Sequence, residues 1–225
     1  SLGKRGYDVA IAEATTELGG RVLREPLLPG LSAWGRVRDY RVGQLHQLAN
    51  VEIYLDSHMT AGDLLQAGFD RIVLATGSSW RRDGVGRYHR LPVAGLEDQA
   101  IFTPDDIMDG KIPVGPTVVF DDDHYYMGGV IAEKLCSLGV EVTLVTPAPL
   151  VSHWSQNTLE QPRIQKRLLD KGVEIRANQG LAGFDHNGAI LACAFTGRET
   201  VLAAQSVVMV TSRTSHDSLY HELAA

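Results

Sequence analysis

The stretch TVVFDDDHYYMGGVIAEKLCSLGVEVTLVT, Thr117 to Thr146, decides the fold. It reads as strand, turn, helix, strand. Thr117-Val118-Val119-Phe120 is an apolar, β-branched run that predicts a buried strand. The pattern predicts a helix from about Tyr126 to Leu138, and Gly139 stands where a helix C-terminal glycine belongs. Val140 to Val145 is a second β-rich run. Strand, tight turn, helix and strand make a βαβ unit with the layout of a dinucleotide-binding half. The turn carries the wrong residues for that ligand. Where the fingerprint G-x-G-x-x-G puts glycines, the chain has Asp121, Asp123 and Tyr126. Side chains there obstruct a pyrophosphate, and two carboxylates repel it at the helix end that should attract it. NAD(P)H is therefore not expected at this turn. The acids are expected instead to cap the helix N-terminus and complement its dipole. Asp121-Asp122-Asp123-His124 also suggests a metal site, but consecutive residues on a tight turn rarely converge on one ion, and none is assigned.

Working outward, Pro113-Val114-Gly115-Pro116 reads as a linker. Thr103-Pro104-Asp105-Asp106 before it has the features of a helix start, with Thr at the N-cap, Pro at the first position and acids in the first turn. Downstream, Gln161 to Lys171 predicts an amphipathic helix closed by Gly172, and Val173 to Arg176 a strand. Residues 181–204 predict two or three antiparallel strands turning at Asn187-Gly188 and Gly197. Val207 to Thr211 is again a buried strand, and the last residues, from Ser218, are helical.

Upstream, Val9 to Ala12 is a short strand closed by Glu13, in the place where an acid accepts hydrogen bonds from a ribose; a solvated strand-end acid is the alternative. Gly19 and Gly20 permit close backbone approach or simply shape a turn. Arg21 pairs with a phosphate or with a surface acid. Arg41 to Ala49 predicts a helix and Val51 to Leu55 a strand. Asp70 to Gly77 reads as a buried strand running into Ala75-Thr76-Gly77, whose small residues suit packing beside a nucleotide or a chain crossing. No strand and glycine loop precede Val9, so the first domain is expected to be incomplete.

The chain has 225 residues, 44% of them hydrophobic and 21% charged, with a net charge of −6. That is an ordinary globular composition, sufficient for two modest domains. There is no Lys/Arg-rich run, so nucleic acid is not an expected partner. No apolar run approaches the roughly 18 residues of a membrane span, and a membrane is not expected either. The two cysteines, Cys136 and Cys193, lack C-x-x-C spacing and fit a reducing cytoplasm; Cys136, inside the predicted helix, is expected to pack in the core. The eight histidines show no ligand spacing. Without a nucleophile elbow a hydrolase is not indicated.

Three pieces then align: a strand ending in Glu13 followed by Leu18-Gly19-Gly20-Arg21, a later Ala75-Thr76-Gly77, and a second βαβ unit after a linker. With the Asp121–Met127 turn, Leu28-Pro29-Gly30-Leu31, Arg38-Asp39-Tyr40 and Thr158-Leu159-Glu160, the chain resembles the C-terminal part of the trimethylamine, dimethylamine and histamine dehydrogenase family, and more distantly dienoyl-CoA reductase. The resemblance implies an α/β fold of the Rossmann-like FAD/NAD(P)-binding type with two nested domains. Residues 1–112 would be a partial ADP- or FAD-type domain, 113–212 an NAD(P)-binding-like domain with a degenerate glycine loop, and 213–225 a return segment toward the first. It implies ADP in the first domain, held near Glu13, Gly19, Gly20, Arg21, Ala75, Thr76 and Gly77. FMN and a 4Fe-4S cluster would lie in an N-terminal barrel absent from these residues, and no catalytic residue is assigned here. A homodimer passing electrons from an amine to an electron-transfer protein is implied. Trp34, Arg36 and Tyr40 would lie near the face that meets this acceptor; Trp34 and Tyr40 covering core is the alternative. In the family a further segment follows Ala225 and faces the adenine nucleotide. This chain is therefore expected to be a fragment that binds ADP weakly or not at all. Alternatives are a fragment of an NAD(P)H-dependent flavin oxidoreductase and a non-catalytic interaction module.

Overall fold

The computed structural model describes residues 1–96 and 100–224. They form two compact units, Ser1–Ser78 with Ser215–Ala225, and Ser79–Thr214. The expected divisions were at 112/113 and 212/213. The first compact boundary falls earlier because the segment after Ser78 joins the second unit: β4 lies beside β11 in its main sheet.

In the first unit β1 (Val9–Ala12) pairs in parallel with β2 (Val51–Tyr54), with Val9 opposite Val51 and Ala12 opposite Tyr54. Between them runs α1 (Gly35–His46) and after them α2 (Ala61–Gln66), the latter started by a capping box between Thr60 and Asp63. Asp70 to Gly77 departs from expectation. Residues 71–77 form no strand, and Ile72 and Val73 are 37% and 78% exposed. β-branched residues supply propensity, but a strand exists only through a ladder, and among the described residues the unit's sheet contains only β1 and β2.

The chain then passes through β3 (Ser78–Trp80) into the second unit, β4 (Ala100–Phe102) and α3 (Pro104–Met108). The deciding stretch becomes β5 (Thr117–Asp121), α4 (Met127–Ser137) and β6 (Val142–Thr146), followed by α5 (Gln161–Asp170) and β7 (Glu174–Ala177). Next come β8 (Gln179–Asp185), β9 (Gly188–Cys193), β10 (Glu199–Leu202) and β11 (Ser206–Val210), before β12 (Arg213–Ser215), which pairs with β3, and α6 (Ser218–Ala224). Five strands form a parallel sheet in the order β4-β11-β5-β6-β7. Every residue of β5 and β11 is buried, as central parallel strands covered on both faces require. Val118, Phe120, Val207 and Met209 meet Leu181, Phe184, Ala189 and Leu191 of the antiparallel β8-β9-β10 sheet. By strand alternation Val119 and Val208 face the other side, and α4 packs against β5 and β6. The fold is thus mixed α/β with a parallel sheet.

Cys136 is only partly buried, and its thiol donates to the Lys171 carbonyl at 3.0 Å. The helix stripe carries it to the edge of the packed face rather than into the core. No helix among the described residues is long and apolar enough to cross a membrane.

The α3 start is built as its sequence indicates. Thr103 N and Oγ1 both donate to Asp106 Oδ2 at 2.9 Å. Arg82 and Lys111 donate to the same carboxylate, each at 2.7 Å to Oδ1. Burial alone would push Asp106 up, but these hydrogen bonds from Lys111, Arg82 and Thr103 prevail and hold it at about 2. A lowered carboxylate stabilises the fold above its unfolded pKa and loses that contribution as pH falls through the folded value. Asp106→Ala is expected to cost about 1–3 kcal/mol at pH 7. In urea titrations the deficit should narrow between pH 4 and pH 3; a deficit independent of pH would mean that the charge contributes nothing.

Candidate functional site

Two places carry the residues singled out by the sequence, one in each unit. In the first unit Glu13 follows β1, and its backbone continues the sheet, its N–H donating to the Tyr54 carbonyl at 2.9 Å. Its Oε1 accepts from Thr15 N at 3.0 Å and Thr15 Oγ1 at 2.9 Å, so this oxygen already shapes the turn after the strand. Gly19 and Gly20 both have positive φ, 139° and 51°. They differ in surroundings. A Cβ on Gly19 would stand 3.0 Å from Arg38 Cγ, whereas one on Gly20 would meet nothing within 4 Å. Gly19 is closed by packing, and Gly20 presents open backbone. Arg21 sends its guanidinium to the Ser78 carbonyl at 2.9 Å and lies 3.9 Å from Glu25. This ties the glycine turn to the residue that follows Ala75-Thr76-Gly77. Those three are exposed and are held by the return segment: His216 N donates to the Gly77 carbonyl at 3.0 Å, and Thr76 Oγ1 donates to the His216 carbonyl. The structure therefore joins Arg21 to the 75–78 segment, while Glu13 engages its own turn. Trp34 and Tyr40, 47% and 60% exposed, do not cover core.

In the second unit the β5–α4 turn is filled by its own acids. Asp121 and Asp122 are both fully buried. Neither caps the helix: Tyr126 is the N-cap, with no side-chain capping bond. The expectation of capping fails because the Asp121 carboxyl is buried against Gly128 in the first turn of the helix rather than set at its tip. A Cβ on Gly128 would stand 2.6 Å from Asp121 Oδ2, so only glycine fits over the carboxyl. Asp121 Oδ1 accepts from His124 N at 3.1 Å. Burial dominates and raises its pKa to about 7, against the pull of that bond and of the His124 charge. Asp122 turns the other way. Its Oδ2 accepts from Tyr88 N at 2.8 Å, and its Oδ1 lies 3.3 Å from His124 Nε2. A Cβ on Gly86 would overlap the Asp122 carboxylate and come within 3.2 Å of Thr211 Cβ. On the other flank Trp154 N donates to the His124 carbonyl at 2.9 Å. Segments 86–89 and 152–154 thus pack against the turn.

Sequence reading missed Gly86, Gly128 and Tyr88. Met127-Gly128-Gly129 held a signal: two glycines in the first turn of a helix mark close approaches, here of Gly128 to Asp121 and of Gly129 to Ile164 and Ser152. Among the described residues no group of three or more His, Cys, Asp or Glu side chains is placed to hold a metal ion.

Comparison with known proteins bears on both places. Residues 102–207 match the OYE-like second alpha/beta domain. The chain is 31% identical to dimethylamine dehydrogenase of Hyphomicrobium sp. (strain x), over 100% of its own length and 34% of that protein. Histamine dehydrogenase from Rhizobium sp. 4-9 superposes with a TM-score of 0.96 at 51% identity, covering 99% of this chain and 35% of that one. For 6-hydroxypseudooxynicotine amine oxidase from Pseudomonas geniculata N1 the values are 0.95 and 45%, over 99% of this chain and 34% of that one. The chain spans about a third of the length of each of these relatives.

The buried acid gives this turn a pH signature. Between the unfolded value near 4 and the folded value near 7 the native state holds a proton that the unfolded chain has released. Stability therefore falls as pH rises through that window. Asp121→Asn, which has no proton to lose, should gain on the native chain from pH 4 to pH 8 by about 1–4 kcal/mol; a difference constant across the range would refute the assignment. Gly128→Ala should cost about 1–3 kcal/mol by overpacking. Combining it with Asp121→Gly should be less damaging than the sum of the two, whereas additivity in thermal melts would show that the two residues do not touch.

Proposed function

Starting from the fact that this chain is a homologue of the dimethylamine and histamine dehydrogenases, we propose that it is the nucleotide-domain region of an amine-oxidising flavoprotein. It serves structure and adenine-nucleotide binding rather than chemistry. The observation that carries this reading is the likeness to histamine dehydrogenase over 99% of the chain at 51% identity. In this reading the whole protein oxidises an amine, such as a methylated amine or histamine, with FMN and a 4Fe-4S cluster outside these residues, and passes electrons to an electron-transfer protein as a homodimer. The chain does not supply residues for the cluster: an all-cysteine site needs four thiolates, and it has two cysteines.

Both units are read as Rossmann-like, and the first is assigned to ADP. What supports this is the open backbone at Gly20, whose positive φ and free space suit close approach by a pyrophosphate, together with Arg21 beside it. Glu13 keeps a second carboxylate oxygen for a ribose hydroxyl while Oε1 holds Thr15. Ala75, Thr76 and Gly77 line the neighbouring backbone. The second unit is assigned no nicotinamide nucleotide. Asp121 and Asp122 fill the turn, and a phosphate brought there would meet carboxylates rather than free N–H groups. The role of the second unit is then to present a rigid α/β scaffold.

Denaturing the intact protein and separating the released nucleotides should give ADP in about one-to-one ratio with the chain. FAD in its place, or saturable binding of NADH in a fluorescence titration, would favour a flavin reductase instead.

A further inference from the structure

Beside the filled turn of the second unit stand two arginines, each stacked on a tryptophan. Arg87 lies over the Trp154 ring, 4.3 Å from its centroid, and Arg213 over the Trp80 ring, at 4.4 Å. Both arginines are exposed, and among the described residues neither makes a direct ion pair. Stacking on an indole fixes the guanidinium plane and leaves its edge N–H groups available. The chain brings both stacks toward one residue. Asp123 N donates to the Val210 carbonyl at 3.1 Å, three residues before Arg213. His124, next to Asp123, accepts from Trp154 N, and Arg87 adjoins Tyr88, whose N–H holds Asp122. Asp123 is half-buried. Burial raises its carboxyl, and the charges of Arg213 and Arg87 are the largest influences lowering it.

We propose that Arg87 and Arg213, each held on a tryptophan, form an anion cradle beside the β5–α4 turn, and that Asp123 is the built-in anion that occupies it and offsets part of its charge. The ligand class such a cradle takes, once that charge is removed, is a compact multivalent phosphate of the pyrophosphate type. Planar guanidiniums recognise phosphate oxygens through paired N–H donors. The inference rests on the reading that the native second unit takes no nucleotide, and it adds an internal competitor for an external anion that the filled turn alone does not require.

The test uses the intact protein carrying Asp123→Asn, titrated calorimetrically with inorganic pyrophosphate at pH 8 and low ionic strength, where exposed charges are least screened. Binding at least about tenfold tighter than to the native protein is expected, a change equivalent to about 1.4 kcal/mol. Adding Arg213→Ala or Arg87→Ala to Asp123→Asn should return affinity to the native level. No tightening in Asp123→Asn, or tightening that survives removal of both arginines, overturns the proposal. A thermal-melt cycle between Asp123→Asn and Arg213→Ala gives a second readout independent of ligand: coupled effects are expected, and strict additivity overturns the pairing. Binding of NADH to the native protein would instead overturn the reading beneath it, and the pyrophosphate comparison remains separate from that result.

Discussion

Two adjacent carboxylates buried at the end of a central parallel strand constrain everything around them. An ionised carboxylate removed from water costs several kcal/mol unless it is hydrogen-bonded, paired or protonated. Asp122 is met by Tyr88 N and by the His124 ring, and Asp121 by His124 N and by a pKa lifted to about 7. Each solution fixes another part of the chain. His124 adopts a left-handed backbone, φ 62°, which aims its N–H at Asp121 and its ring at Asp122. The 86–88 segment is drawn against the turn, and Gly86 and Gly128 become obligatory where the carboxylates pass. The turn is therefore a small polar core with its own packing rules.

The same constraint explains why an intact βαβ layout does not imply its usual ligand. In a dinucleotide half the space over the turn is left empty by glycines, and the helix N-terminus supplies N–H groups and partial positive charge to a phosphate. Here the space holds the chain's own anions. The helix end meets a carboxyl beneath it instead of a phosphate in front of it. Gly128, in the first turn of the helix, makes the close contact with the strand at Asp121, so a glycine has a packing role here without a ligand role. In the first unit Gly20 differs from Gly86 and Gly128: a Cβ there would meet nothing within 4 Å.

Much of the architecture was legible because it depends on local pattern. The β5-α4-β6 unit, the Thr103-Asp106 capping box, the helix closed by Gly172 and the antiparallel β8-β9-β10 sheet follow from apolar periodicity, cap chemistry and turn glycines. What failed depended on partners that sequence order does not display. Ile72-Val73-Leu74 has the composition of a buried strand, yet it makes no ladder. The Asp121 to Asp123 run looks like a helix cap; that Asp121 packs against Gly128 and Asp122 against Gly86 and Tyr88 N depends on contacts that composition does not encode. The candidate site was legible as residue types in order, including the glycine turn and the crossing at Gly77. The tie between Arg21 and Ser78, 57 positions away, was not, because it is a contact between distant backbone segments.

The distribution of buried apolar surface decides why one unit tolerates internal anions. The largest fully buried side chains, among them Phe120, Ile131, Leu144, Leu181 and Met209, all lie in the second unit. Each contributes about 1.5–3 kcal/mol relative to exposure, so several of them outweigh the cost of holding Asp121 in a protonated or strained state. Among the described residues of the first unit Leu28 is the buried hydrophobic side chain. Polar groups of this unit shape surface turns, as Thr15 does on Glu13 and His216 on Thr76 and Gly77, while Glu25 is buried beside Arg21. The physical division is thus between a unit that holds its anions beneath a large apolar core and one whose described residues bury a single hydrophobic side chain.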